Sequence, residues 1–371
     1  MTSRERVAAA LNFERPDRLP VSDALWDGLQ DEWVAEGMPA GVSPADHFDW
    51  DISNMFLDIS PRFPTRILVR SGGMITYEDR FGYTVRKSDG RSGTLHFLAH
   101  KTRTQDDWEN LVKPRMTMGT NPEQARIDSA SYFCHLDRYP SWEEAREQYD
   151  VIHAQDRFLL FTAYGPWEAT WRHHGMEDLL MDVLAEPEWC ADMFESYTTL
   201  LLDVLQACVA RGMVPDGIYI PEDMGFKTGL MIGPSTWDRL LRPCYERIRD
   251  FTKTQGIQFW MHTDGHVYDL IERFLEMGVT ALNPLECAAG MDIAELRKRF
   301  GNRMTCYGNI SAGNLLGPWE NLEAELERKI PFAAQGGFIM HSDHSIPFGV
   351  SYGQYKKARQ RAQEIFEKTA S

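Results

Sequence analysis

Along the second half of the chain, short apolar runs alternate with amphipathic stretches, and each run ends in polar residues. The runs begin at Phe158, Gly217, Ile257, Val279, Met304 and Gly337. Their length and their β-branched and aromatic content read as buried strands. Helical periodicity fills the intervals at 167–184, 187–211, 234–255, 267–277, 293–300 and 321–334. Six such alternations predict a parallel sheet. No repeat of about 20 to 50 residues recurs in the sequence, so the regularity is structural alone.

The first half has a different texture. Thr2 or Ser3 caps a helix running to Phe13, the Arg15-Pro16-Asp17-Arg18 stretch stops it, and Leu19–Asp23 reads as a short opening strand. Between 40 and 115 come four partly alternating runs, Ile67–Arg70, Met74–Tyr77, Tyr83–Arg86 and Thr94–Phe97, separated by glycine and aspartate turns. That is a β-meander, and residues 106–155 are polar and helical around Trp108–Val112 and Trp142–Tyr149. Counting the opening strand, the parallel strands approach eight. The expected architecture is a single (β/α)8 TIM-type barrel domain over 1–371, with an N-terminal helical and β-meander insertion at about 40–155. An open doubly wound sheet is the alternative, and the absence of a GxGxxG fingerprint weakens a dinucleotide role for it.

Composition narrows the partners. The chain has 43% hydrophobic and 25% charged residues, as ordinary globular proteins do, and its net charge of -16 disfavours nucleic-acid phosphates and anionic bilayers. Six cysteines, at 134, 190, 208, 244, 287 and 306, form no CxxC pair and read as reduced thiols. With no apolar signal segment at the N-terminus and no run of about 18 apolar residues, the expectation is a cytoplasmic protein that meets neither membrane nor nucleic acid.

The candidate chemistry sits where strands end. Asp23, Glu222, Asp223, His262, Asp264, Asn283, Glu286, Asn309, Asp343 and His344 all follow the C-terminal end of an expected strand, the face on which barrel enzymes assemble their sites. His262 and His344, with a carboxylate from Glu222, Asp264 or Asp343, would supply nitrogen and oxygen ligands for zinc with one position open. The competing reading makes His262 a loop cap and leaves the acids solvated. His266 and His341 read as structural. Trp26, Tyr164, Trp167, Asn283 and Asn309 are the candidates for substrate contact, although aromatic residues such as Trp167 and Trp171 at helical spacing also suit a core. Cys287 and Cys306, without a paired base, read as buried. Neither a GxSxG elbow nor a GxxxxGK[ST] loop is present.

Several short motifs together resemble the uroporphyrinogen decarboxylase superfamily. They are Thr2-Ser3-Arg4-Glu5-Arg6-Val7 with Arg15-Pro16-Asp17-Arg18-Leu19-Pro20-Val21, then Glu222-Asp223-Met224, His262-Thr263-Asp264-Gly265, Gly278–Pro284, and Gly336-Gly337-Phe338-Ile339 with Asp343-His344 and Pro347. True decarboxylases of that superfamily carry an arginine-rich N-terminal stretch for the substrate's carboxylates. Here the matching Leu19–Trp26 has none, which counts against a porphyrinogen. The other branch contains corrinoid-dependent methyltransferases that hold zinc through a His-x-Cys pair and a later cysteine. This chain has His262-x-Asp264 and His344 at those places, so harder ligands replace sulfur.

The resemblance therefore implies a zinc-dependent methyltransferase of O-demethylase type. It would move a methyl group from a small, methoxylated, aromatic substrate to a corrinoid (cobalamin) cofactor. The metal ligands would be His262, Asp264 and His344 with Glu222, and the acids Asp264, Glu286 and Asp343 would serve catalysis. The superfamily's corrinoid-binding Asp-x-His-x-x-Gly motif is missing, so a separate corrinoid protein would present the cofactor. Relatives pair, so a homodimer is a further expectation. The alternatives are a cofactor-free decarboxylase or lyase and a non-catalytic small-molecule-binding barrel.

Overall fold

A computed structural model describes residues 1–91, 93–128 and 139–369. Its strands are β1 (Ile52–Phe56), β2 (Arg66–Ser71), β3 (Met74–Glu78), β4 (Tyr83–Ser88), β5 (His96–His100), β6 (Phe158–Thr162), β7 (Gly217–Pro221), β8 (Gly225–Phe226), β9 (Gly229–Leu230), β10 (Gln258–His262), β11 (Ala281–Asn283), β12 (Thr305–Ile310) and β13 (Phe338–Ser342). Seven of them form one parallel sheet in the order β1-β6-β7-β10-β11-β12-β13. The opening segment fills the gap between its first and last members. Val21 bridges Met340 in parallel, Met340 N donates to Pro20 O at 2.9 Å, and Asp51 N donates to Val21 O at 2.7 Å. The curled sheet is of TIM type, as the alternation predicts.

One stave was not legible in the alternation. β1 lies inside the stretch expected to be all insertion, because its sequence Ile52-Ser53-Asn54-Met55-Phe56 carries polar residues where an apolar run would announce a strand. The insertion proper begins after it. The four-stranded antiparallel sheet β2-β3-β4-β5 is the expected meander, with its last strand two residues later than the pattern suggests. It is fastened to the barrel by charge and by rings. Asp58, fully buried just past β1, accepts from Arg62 Nε at 2.6 Å and has Arg80 and Arg126 within 3.8 Å. Phe81 and Phe97 pack edge-on against Tyr164 and Trp171, beyond the end of β6. At the far end of the meander, Arg91 reaches Glu32 at 3.2 Å and lies over the Phe348 ring.

The core has two layers. Ile52, Phe158, Leu160, Trp260, Ala281, Tyr307 and Ile339 fill the inside of the barrel, and Val7 and Ala10 of the helix Ser3–Leu11 plug its N-terminal end. A larger cluster fills the space between strands and outer helices. Trp260 is completely buried, and truncating so large a side chain to alanine costs about 3–5 kcal/mol. The barrel is thus closed below and supported all round, which leaves its upper rim for chemistry. Among the described residues no helix is long and apolar enough to cross a membrane.

Candidate functional site

β10 delivers the central residue. Strand alternation gives Trp260 and His262 the same inward face, Trp260 as floor and His262 at the rim. His262 Nδ1 donates to Asn283 Oδ1 at 2.6 Å. Tyr219 OH, 3.1 Å from the same nitrogen, donates to that oxygen at 2.5 Å. Asn283 is held in turn by its own Nδ2, which donates to Tyr307 O at 2.7 Å. With Nδ1 occupied, Nε2 is the nitrogen that faces the mouth.

Two carboxylates meet it there. Asp223 Oδ1 lies 3.3 Å from His262 Nε2, and Asp264 Oδ1 lies 3.8 Å from it. One ligand atom from each of Asp223, His262 and Asp264 falls within 4.8 Å of the others. Backbone geometry brings them together. Asp223 takes a φ of 32°, a left-handed turn that aspartate tolerates, and Asp264 N donates to its Oδ1 at 3.3 Å. Beneath them Gly225 and Gly265 back onto each other: a Cβ on Gly265 would sit 2.3 Å from the carbonyl carbon of Gly225. Only a pair of glycines lets the loops after β7 and β10 approach so closely.

The charges are strongly coupled. Burial works against an imidazolium at His262, but the hydrogen bond to Asp223 and the charges of Asp264 and Asp223 outweigh it and raise its pKa to about 10. Burial, with the Asp223 charge and against that of His262, lifts Asp264 to about 6. Burial also presses upward on Asp223, yet the bond and charge of His262 hold it below the usual carboxylate value. Asp264 Oδ1 is buried with no hydrogen-bond partner.

The other expected site residues divide sharply. His344 belongs to the same rim: its Nε2 is 4.0 Å from Asp264 Oδ2, it is half-exposed, and Trp26 packs edge-on against its ring. Glu286 steadies the loop, accepting from Gly265 N at 2.9 Å. Glu222 lies outside the group. The turn at Asp223 sends the two neighbours opposite ways, and the Glu222 carboxylate accepts from Glu168 N at 2.7 Å, from Trp167 N at 3.4 Å and from the Tyr245 hydroxyl. It caps the helix Pro166–His174, in a space that exists because Gly165 has no side chain, and burial pushes its pKa up to about 8. Asp343 is also committed to backbone, accepting from Cys287 N at 2.9 Å and Ala312 N at 2.7 Å.

Among the substrate-contact candidates, Asn309 is buried and spends its amide on Leu285 O, Met291 O and Ile293 N. Trp167 is completely buried against Phe194, as the core reading of that aromatic stripe has it. Tyr164 stands under the Arg172 guanidinium, with Phe81 at its edge. Asn283 acts on His262, and Trp26 remains at the mouth. His266 bonds Ala289 O, and His341 packs edge-on against Tyr307. Cys287 is outside the group and receives Lys329 Nζ at 3.2 Å. A shallow depression of about 400 Å³ lined by Glu272, Glu276, Val279 and Arg303 opens at the opposite end of the barrel, away from this chemistry.

Sequence reasoning passed over Asp223 as a ligand, and Tyr219 altogether. Asp223 was indistinguishable from Glu222 without the turn. Tyr219 could have been found by parity, since it pairs with Trp260 in register and shares its inward face.

A sequence model described as uroporphyrinogen decarboxylase (URO-D) matches residues 157–364. Uroporphyrinogen decarboxylase 1, chloroplastic, of Oryza sativa subsp. japonica is 25% identical over 120 residues, which are 32% of this chain and 29% of that protein. The match thus spans less than a third of that relative's length. A solved methyltransferase from Methanosarcina mazei has the same fold, with a TM-score of 0.65 at 15% identity over 99% of both chains.

Proposed function

The chain belongs to the uroporphyrinogen decarboxylase family, and from that premise we propose that it is a zinc-dependent methyltransferase. It moves a methyl group from a small methoxylated aromatic compound to a corrinoid carried by a partner protein. The observation that carries this reading is the convergence of Asp223, His262 and Asp264 at one rim. A bare buried oxygen on Asp264 is costly, and a cation offsets that cost. One imidazole nitrogen and two carboxylate oxygens, with no sulfur, fit zinc and leave a further position open. That the Methanosarcina mazei protein of this fold is a methyltransferase supports the same reading.

Zinc held by Asp223, His262 and Asp264 would supply Lewis acidity to the ether oxygen, and a corrinoid on a partner protein would supply the methyl acceptor. The chain's own residues do the positioning. Asn283 and Tyr219 lock the His262 ring so that Nε2 points outward. Asp223 and Asp264 balance the charge, Glu286 holds the Gly265 turn beneath them, and His344 stands at the outer edge.

One observation favours a second reading. Without a metal, His262 is a cation at neutral pH, which suits a proton donor in a cofactor-free decarboxylase. Metal analysis of the purified chain, followed by methyl transfer from methoxyarenes to free Co(I) cobalamin, separates the two. The methyltransferase reading expects about one zinc per chain, lost in His262→Ala, and methylated cobalamin only when zinc is present. Decarboxylation by metal-free protein would support the second reading. Ligand binding with neither metal nor turnover would leave a non-catalytic barrel.

A further inference from the structure

The interior of the barrel is filled at one level and open at the next, and β1 shows where the change occurs. Ile52, Asn54 and Phe56 share its inward face: Ile52 belongs to the interior cluster with Phe158 and Trp260, whereas Met55 packs outward in the larger one. Ile52 is 3% exposed, yet Asn54, one step up the same face, is exposed and Phe56 half-buried. An exposed side chain on the inside of a barrel strand marks an open cup. Its walls include the upper inward residues Asn54, Phe56, Tyr219 and His262, over a floor of Trp260 and Tyr307. No lysine or arginine stands among them.

Asn54 is fixed on one side. Its Oδ1 accepts from Thr162 Oγ1 at 2.9 Å, and Thr162 is buried in the neighbouring strand. In this arrangement Nδ2, the donor, is the amide atom left for the cup. Two strands, β6 and β7, separate β1 from β10, so Asn54 and the Asp223, His262 and Asp264 group stand on different walls of the cup.

We infer that Asn54 is a specificity-determining donor. It hydrogen-bonds an uncharged oxygen, a hydroxyl or amide carbonyl, at the end of the substrate ring remote from the methoxy group. The inference rests on the methyl-transfer reading for which end of the substrate faces His262. A carboxylate at the remote end would meet no lysine or arginine among these wall residues and would share the space with two aspartates, so neutral aryl ethers are the class that fits.

Calorimetric binding to the full-length protein tests this without any turnover, using 4-methoxyphenol, 4-methoxybenzamide and the near-isosteric anion 4-methoxybenzoate. The wild type is expected to bind the two neutral probes and to hold the benzoate at least tenfold more weakly than the benzamide. Asn54→Ala is expected to lose about tenfold for the neutral probes, the worth of one hydrogen bond. Asn54→Asp, which offers no donor but still accepts from Thr162 Oγ1, should lose at least as much while melting near the wild-type temperature, and Asn54→Ala should melt somewhat lower. Equal affinity of wild type and Asn54→Ala for the neutral probes would overturn the inference. So would tighter binding of the benzoate, or no binding of any probe. Asn54-dependent binding without methyl transfer would instead count against the proposed reaction alone, and methyl transfer indifferent to Asn54 would count against this inference alone.

Discussion

Two strand ends carry the same three-residue pattern of histidine, hydroxyl residue and aspartate. At β10 it is His262-Thr263-Asp264 and at β13 it is His341-Ser342-Asp343. The first pattern presents both its histidine and its aspartate to the mouth. The second buries them: His341 lies edge-on against Tyr307, its pKa lowered by burial despite nearby Asp23, and Asp343 sits between two backbone N–H groups. What differs is the neighbour. β10 pairs with the three-residue β11, and their ladder ends at His262 opposite Asn283. β13 pairs with the six-residue β12, and that ladder runs on past His341, with Ser342 opposite Ile310 and Asp343 N donating to Ile310 O. The same motif is a site where the ladder beside it ends at the histidine, and a support where it runs on to the aspartate.

The largest effect that would break this contrast comes from the histidines. His262→Ala is expected to remove zinc and lower methyl transfer by roughly a thousandfold, whereas His341→Ala keeps the metal and loses stability; metal analysis beside a melting curve reads both. Next comes Asp343→Ala, which strands two N–H groups and should cost about 2–4 kcal/mol in urea unfolding while leaving zinc affinity nearly unchanged. A loss of metal in that variant would erase the distinction between the two ends. Asn283→Ala, which frees the His262 ring, should weaken zinc by about 10–100-fold and, by stranding the Tyr307 carbonyl, also lower the melting temperature.

Smaller still is the effect of acidity. His262 must shed a proton to bind metal, and its pKa is raised to about 10, while Asp264 must be ionised and sits at about 6. Zinc affinity should therefore rise about tenfold per pH unit between about 6 and 10, and fall more steeply below about 6 as Asp264 protonates. Asp223→Asn removes the partner that favours the cation, so the His262 titration followed by NMR should move down. An unmoved titration would mean that Asp223 is not its partner.

Much of the barrel was legible, and the reason is burial on both faces. Strands such as Phe158–Thr162 and Phe338–Ser342 are continuously buried and announce themselves as apolar runs. β1 escaped because Asn54 faces the cup instead of the core. The rim was legible as a set of strand-end residues, and His262, Asp264 and His344 do share one edge. Orientation beyond a strand end was not legible. Glu222 and Asp223 are equivalent in a string of letters, and a single left-handed turn assigns one to a helix cap and the other to the mouth. Asn309 lies within β12, not beyond it, and its left-handed conformation turns the amide to three backbone groups.

The contact between Gly225 and Gly265 has a consequence for how such a rim changes over time. Since main chain lies against main chain there, the spacing of positions 223 and 264 is set below the side chains and does not depend on which atoms they bear. The scaffold behaves as a fixed socket with exchangeable pins. Asp264→Cys would then convert an oxygen-rich seat into a sulfur-bearing one in a single step, with no loop to rebuild, whereas any side chain at 225 or 265 would spread the socket and disable every set of pins at once.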